Sequence, residues 1–192
     1  MSETPDHLGG HSNKTWEDEG ALKYLIEEIG LKTMIDVGCG PGGQVDTAKE
    51  LGIDAMGIDG DPSVEADVTH DFTVGPPDID KKFDLAWSVE FLEHVAEDYM
   101  DNYFSLFEKS RYVVCTASPQ EGDYHFNVKP REWWLEQFEK RGFKYRQDLL
   151  DNVLQHSTMK RKRLKHKTTR QLLGTFTWLE QTGMVFENTN YE

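Results

Sequence analysis

Three carboxylates and a cluster of glycines mark where this chain could do chemistry. In TMIDVGCGPGG, residues 33–43, an apolar run stops at Gly38, Gly40, Gly42 and Gly43. Apolar, β-branched residues ahead of such a cluster read as a buried parallel strand entering a tight turn. Glycine serves where the backbone takes positive φ or must let a ligand come close. Asp36 is the unusual member, because a carboxylate near the end of a buried strand is costly without a partner. A second acid, Asp59, closes the next apolar run, IDAMGID, and a third, Asp71, stands in HDF.

Gly38, Gly40 and Gly43 satisfy the G-x-G-x-x-G spacing of dinucleotide sites, so the glycines alone leave the ligand open. The acids narrow it. Asp36, two residues before the first glycine, repels phosphate and suits an ammonium. Asp59, at the tip of a strand, suits bidentate acceptance from ribose hydroxyls. Asp71 is placed for the edge of an adenine amine, and Asp67 competes for that contact because the segment before it is short. Together the acids describe a nucleoside that carries an amino acid and no phosphate. A nicotinamide dinucleotide is the alternative.

These residues need strands and helices to hold them. Thr15, with Asp18 three residues on, reads as a helix cap, followed by Ala21, Leu22, Leu25, Ile26 and Ile29 at helical spacing and a stop at Gly30. Strands are expected at 33–37, 53–59, within 64–72, at 83–88 (FDLAWS), 111–116 (RYVVCT), 143–146 and 183–187 (GMVFE). Helices are expected at 43–51, 89–107, 130–142 and through a polar, basic stretch reaching 181. Residues 117–129 read as a polar loop. Alternating strands and helices with continuous apolar strands predict an α/β sheet covered on both faces. Residues 1–13 read as a poorly ordered tail and 14–192 as one domain, with a basic helical insertion at about 157–174.

Composition sets outer bounds. The 192 residues carry 21 Lys and Arg against 35 Asp and Glu, a net charge of −14 that argues against a surface coated in nucleic acid. Residues 159–170 oppose that average with seven cations and no acid, which leaves the remainder near −21. Such a run is either a solvated face or a patch for an acidic or phosphate-bearing partner. No apolar run approaches a membrane span, and the N-terminus lacks a signal peptide's hydrophobic stretch. Cys39 and Cys115 suit buried thiols in a cytoplasmic chain.

DVGCGPGG, then Asp59, then HDF, then FDLAWSVEFLEHV together resemble the signature series of class I, Rossmann-like S-adenosylmethionine-dependent methyltransferases. The resemblance runs over about 33–186. It implies a three-layer fold whose mostly parallel central sheet ends in an antiparallel strand, and S-adenosylmethionine as the methyl donor. Asp36 and the turn of Gly38, Cys39, Gly40 and Gly43 would surround the methionine moiety. Asp59, with Gly60 beside it, would take the ribose, and Asp71 with Phe72 the adenine. Trp87 and Ser88 would line the floor beneath the methyl donor. HFNVKPREWW and GMVFE are similar to a small-molecule subgroup, which implies a small or sugar-like acceptor methylated on oxygen or nitrogen.

For the acceptor side, Trp16, Glu90, His125 and Asn127 are the candidates, Trp16 as a lid or as a packing aromatic. His125 is the candidate catalytic base, since its near-neutral pKa suits proton transfer and its loop follows a strand end. Glu90 and His94, four apart on an expected helix, read as a structural pair, and no metal is assigned because no third ligand lies nearby in sequence. Two other functions remain open: methyl transfer to nucleic acid or a phosphorylated substrate through residues 160–170, and a donor-binding partner module without catalysis.

Overall fold

The computed structural model describes residues 8, 10, 11, 13–165 and 172–192. Most of the expected loose tail, and basic positions 166–171, lie outside the described residues. The chain opens with α1 (Glu19–Ile29), β1 (Thr33–Val37), α2 (Gly43–Glu50), β2 (Asp54–Asp59) and the two-residue β3 (Val68–Thr69). It continues through β4 (Phe83–Ser88), α3 (Met100–Glu108), β5 (Ser110–Cys115), α4 (Arg131–Lys140) and β6 (Phe143–Tyr145). It closes with α5 (Gln147–His156), β7 (Lys162–Lys165), β8 (Leu172–Phe176), α6 (Trp178–Thr182) and β9 (Met184–Asn188).

Seven strands form one sheet in the order β3-β2-β1-β4-β5-β9-β6. The first five in that order pair in parallel, and β9 runs antiparallel to both β5 and β6. Apart from Asp36 in β1 and Asp84 and Ser88 in β4, the interiors of the central strands are apolar because both sheet faces are covered. Ile35 and Val37 pack with Tyr103, Phe104 and Phe107 of α3 and Trp134 and Phe138 of α4. Met34 instead packs with Leu22 and Leu25 of α1, Val45 and Ala48 of α2, and Leu149, Leu150 and Val153 of α5. This is the expected three-layer Rossmann-like arrangement with an antiparallel late strand. The Phe138 ring stacks on Phe186 at 3.9 Å between centroids, tying α4 to β9 across the far edge. Removing that ring costs about 3–5 kcal/mol.

Several local expectations are corrected. The first helix starts at Glu19, because Asp18 and not Thr15 is its cap: Asp18 Oδ1 accepts from the Ala21 amide at 3.1 Å. Thr15 Oγ1 instead accepts from the Gly43 amide at the mouth of the glycine turn, at 3.3 Å. Residues 89–107 do not form one helix. Glu90 has φ 57°, which no α-helix accommodates, and two 3-10 turns (Leu92–His94 and Glu97–Tyr99) precede α3. The helical spacing assumed for Glu90 and His94 therefore does not apply.

The described part of the basic insertion is not helical either. α5 stops at His156, and β7 and β8 pair as an antiparallel hairpin. Cross-strand contacts hold it extended: Arg161 donates to Thr175, while the Lys162 ammonium lies 4.1 Å from the centre of the Trp16 ring. No helix among the described residues is long and apolar enough to cross a membrane.

Candidate active site

A cavity of about 740 Å³ opens at the carboxyl ends of β1, β2 and β4. This is the edge where parallel α/β sheets leave a crevice between neighbouring strand ends. It has two chemically distinct halves.

The first half is built on the glycine turn. Gly38 has φ 77°, and a β-carbon there would fall 2.2 Å from the Phe91 ring, so only glycine lets the turn close beneath that ring. The Gly38 amide donates to the Ile58 carbonyl at 2.9 Å, coupling the turn to β2. Asp59 receives two amides, from Gly40 at 2.8 Å and from Asp61 at 2.9 Å. Burial raises its pKa and these two hydrogen bonds oppose the rise. Asp36 lies one strand over, in register with Gly57 on one side and Trp87 on the other. Its carboxyl is pushed up to about 8, first by burial and then by the nearby Asp59 charge. Gln44, at the start of α2, uses Oε1 to accept from the Asp18 amide and has a buried Nε2 without a hydrogen bond.

Asp71 and Phe72 line the next wall, Asp71 accepting from both the amide and the hydroxyl of Thr73. Asp67 is turned to other work, accepting from the Gly57 amide at 2.8 Å and from Lys49, and it does not line the cavity.

The second half gathers ionisable side chains from two loops. Glu90, His94 and His125 line it, and Glu93 lies behind them fully buried. Glu90 Oε1 accepts from the Thr116 hydroxyl, which in turn accepts from the Glu90 amide at 2.7 Å. Burial, and then the charge of Glu93, raises the Glu90 pKa; burial also raises that of Glu93. The His94 pKa is lowered to about 4, chiefly by burial. The Glu93 carbonyl accepts from the Phe126 and Asn127 amides at 2.8 and 3.0 Å, which fastens the loop carrying His125 against the 3-10 turn. Trp16 and Trp178 close the mouth in edge-to-face contact at 6.0 Å.

A family model described as a methyltransferase domain matches residues 16–157 of the chain. The chain belongs to the class I S-adenosylmethionine-dependent methyltransferases. The fold is similar to that of a TehB-like SAM-dependent methyltransferase from Corynebacterium glutamicum, at 17% identity and a TM-score of 0.57, covering 88% of each chain. It is also similar to the 1,6-didemethyltoxoflavin-N1-methyltransferase of Burkholderia thailandensis (14%, TM-score 0.56), covering 88% of this chain and 77% of that one. A third likeness is to the methyltransferase domain of a bacterial Hen1, CtHen1 (16%, TM-score 0.55), covering 88% and 97%. No curated protein matches by sequence.

In this methyltransferase the cavity wall includes Trp16, Asp36, Gly38, Cys39, Asp59 and Gly60 of the residues singled out from sequence. It also includes Asp71, Phe72, Trp87, Glu90 and His125. Gly40, Gly43, Ser88 and Asn127 stand behind the wall. Gly40 and Gly43 shape it through their amides, and the Ser88 hydroxyl donates to the Val37 carbonyl at 2.9 Å, tying β4 to β1. Asn127 is buried with neither side-chain polar atom hydrogen-bonded.

Sequence reasoning missed Gln44, Phe91, Lys162 and Trp178 in the wall. It also missed His11, which reaches Asp61 at 2.9 Å. Only Gln44 had a usable signal, as a polar residue in the first turn after the glycines. Cys39 and Cys115 are buried thiols whose pKa values are raised by burial, in keeping with a packing role.

Proposed function

We propose that this chain transfers a methyl group from S-adenosylmethionine to a small, sugar-like acceptor, on oxygen or nitrogen. One observation carries the donor half: a buried Asp36, its pKa raised by burial and by the Asp59 charge, stands at a glycine turn beside the acidic tip of β2. Two carboxylates there disfavour a pyrophosphate and favour a cationic amino-acid group. The unpartnered Gln44 amide fits the same ligand, since it would donate to the amino acid's carboxylate.

In this reading Asp36 and the turn of Gly38, Cys39, Gly40 and Gly43 hold the methionine moiety. Asp59 and Gly60 take the ribose, and Asp71 with Phe72 the adenine. Trp87 forms the floor, with Ser88 supporting it from behind. S-adenosylmethionine supplies a methyl group on a sulfonium, already activated for in-line displacement. The protein's part is positioning and exclusion of water, to which Trp16 contributes at the mouth. A hydroxyl or amine acceptor sits beside Glu90 and His125, with Asn127 behind them, and its proton passes to this cluster. His125 Nε2 is the candidate base, because its Nδ1–H is committed to the Gln120 carbonyl at 2.7 Å.

A phosphorylated or nucleic-acid acceptor would depend on the basic hairpin. Of its cations, Arg161 is paired with Glu180 at 2.6 Å and Lys162 is stacked on Trp16 and Trp178, so both serve the fold. That favours the small acceptor. The test is incubation of the protein with methyl-labelled donor and a fractionated small-molecule extract. Label in one low-molecular-weight fraction supports the reading; label only in nucleic acid, or in nothing despite donor binding, overturns it.

A further inference from the structure

The second half of the cavity has a more specific organisation than a general base requires. Glu93, His94 and His125 each offer one ligand atom, and all three atoms lie within 4.8 Å of one another. Bonds of about 2.0–2.2 Å to one cation would place such atoms roughly 3–4.4 Å apart, so side-chain shifts below about 1 Å would close the set.

We propose that Glu93, His94 and His125 bind one divalent first-row transition-metal cation at the acceptor end of the cavity. Three independent features point to it. First, Glu93 is 0% exposed, and among the described residues no side chain pairs with its carboxylate, which only the Glu93 and Ser118 amides support. A buried carboxylate left in that state is costly, and a cation is the partner that satisfies both oxygens. Second, both histidines have their ring tautomer set from behind. His94 Nδ1 lies 2.9 Å from the Tyr124 carbonyl and His125 Nδ1 lies 2.7 Å from the Gln120 carbonyl. A carbonyl oxygen only accepts, so each Nδ1 carries the proton and each Nε2 keeps its lone pair. That is how metal-binding imidazoles are oriented by an outer layer of acceptors. Third, the paired amides of Phe126 and Asn127 on the Glu93 carbonyl bring the two ligand-bearing segments together without needing the cation.

Two imidazoles and one carboxylate suit Mn²⁺, Fe²⁺, Co²⁺ or Zn²⁺ better than Mg²⁺ or Ca²⁺. His94 and His125 face the cavity, so remaining coordination positions open toward an acceptor. Resting on the methyltransferase reading, this narrows the acceptor to an oxygen nucleophile, a hydroxyl or an adjacent hydroxyl pair. A hydroxyl on the cation gives up its proton more easily. The oxygen–methyl bond then forms as the sulfonium carbon–sulfur bond breaks, the bonding pair staying on sulfur. The proton goes to Glu90, which lines the cavity beside the cluster, and from there to solvent. With the cation in place His125 is a ligand and not the free base.

The experiment is calorimetry of chelator-treated protein with Mn²⁺, Co²⁺, Zn²⁺ and Mg²⁺, alongside visible absorption of the Co²⁺ form. One transition-metal ion per chain is expected, with Co²⁺ bands of a nitrogen- and oxygen-ligated site and weaker Mg²⁺ binding. H125A and E93Q should each lose at least about tenfold in affinity, and the remote H156Q should lose none. Should E93Q fail to fold, H125A on its exposed loop decides the matter. Absence of binding at about 1 mM free cation, or unchanged binding in H125A, overturns the proposal. S-adenosylhomocysteine affinity is measured on the same samples. If it binds while metals do not, the cation site falls and the methyltransferase reading stands. If metals bind and it does not, the site stands and that reading falls.

Discussion

The two halves of the cavity are held by different means. In the donor half, backbone does most of the work. The turn amides and Asp59 satisfy one another, and Gly38, Gly40 and Gly42 all carry positive φ. In the acceptor half, side chains do it: Glu90, Glu93, His94 and His125 come from two loops, and among the described residues the Glu93 carboxylate has no side-chain partner. A backbone cradle recognises a ligand that does not vary. A ring of ionisable side chains on loops can be re-equipped for different acceptors without disturbing the turn.

Breaking the donor half should have the largest effect. G38A places a β-carbon against Phe91 in a left-handed backbone, and should cost about 2–4 kcal/mol of stability and abolish S-adenosylhomocysteine binding. Chemical denaturation and calorimetry measure both. H125A separates the halves more cleanly. Donor affinity should stay within about threefold, while kcat falls at least about 100-fold; a fall confined to donor affinity would mean the halves are one unit.

The pH response sharpens the same contrast. Asp36 is raised from 3.8 to about 8 in the folded protein. Because the unfolded chain ionises this group first, its contribution to stability is present below about pH 4 and is lost as pH rises toward 8. An ammonium bound beside it favours the carboxylate. Donor binding therefore releases a proton, and affinity should tighten by up to about tenfold between pH 7 and pH 8. D36N should bind more weakly and lose that dependence, as titrations in buffers of different ionisation enthalpy would show. The smallest effect expected is that of K162A, which removes a cation from between Trp16 and Trp178 and should cost about 0.5–1 kcal/mol in thermal melts.

The same division explains what the sequence could tell. Asp36, the glycines and Asp59 were legible because each sits at a strand end that hydrophobic patterning marks locally. So was the sheet, since the apolar runs are continuous, whereas the direction of its antiparallel late strand came only from the family resemblance. The acceptor cluster was not legible as a unit. His125 stands 31 residues from His94, and the two meet through the amides fastened to the Glu93 carbonyl and the contact of His94 with the Tyr124 carbonyl. The positive φ of Glu90, which breaks the expected helix, has no composition signal, because glutamate is ordinarily a helix former. The basic hairpin carries no strand signal for a related reason: Lys and Arg runs have no periodicity, and its Lys162 packs on Trp178 and on Trp16, the latter far away in the chain.

The most direct test of the central claim is calorimetric titration of the purified protein with S-adenosylhomocysteine and, separately, with NAD. The account predicts one S-adenosylhomocysteine site per chain, lost in D36N combined with D59N, and at least about 100-fold weaker NAD binding. NAD binding as tightly as S-adenosylhomocysteine, or more tightly, would contradict it.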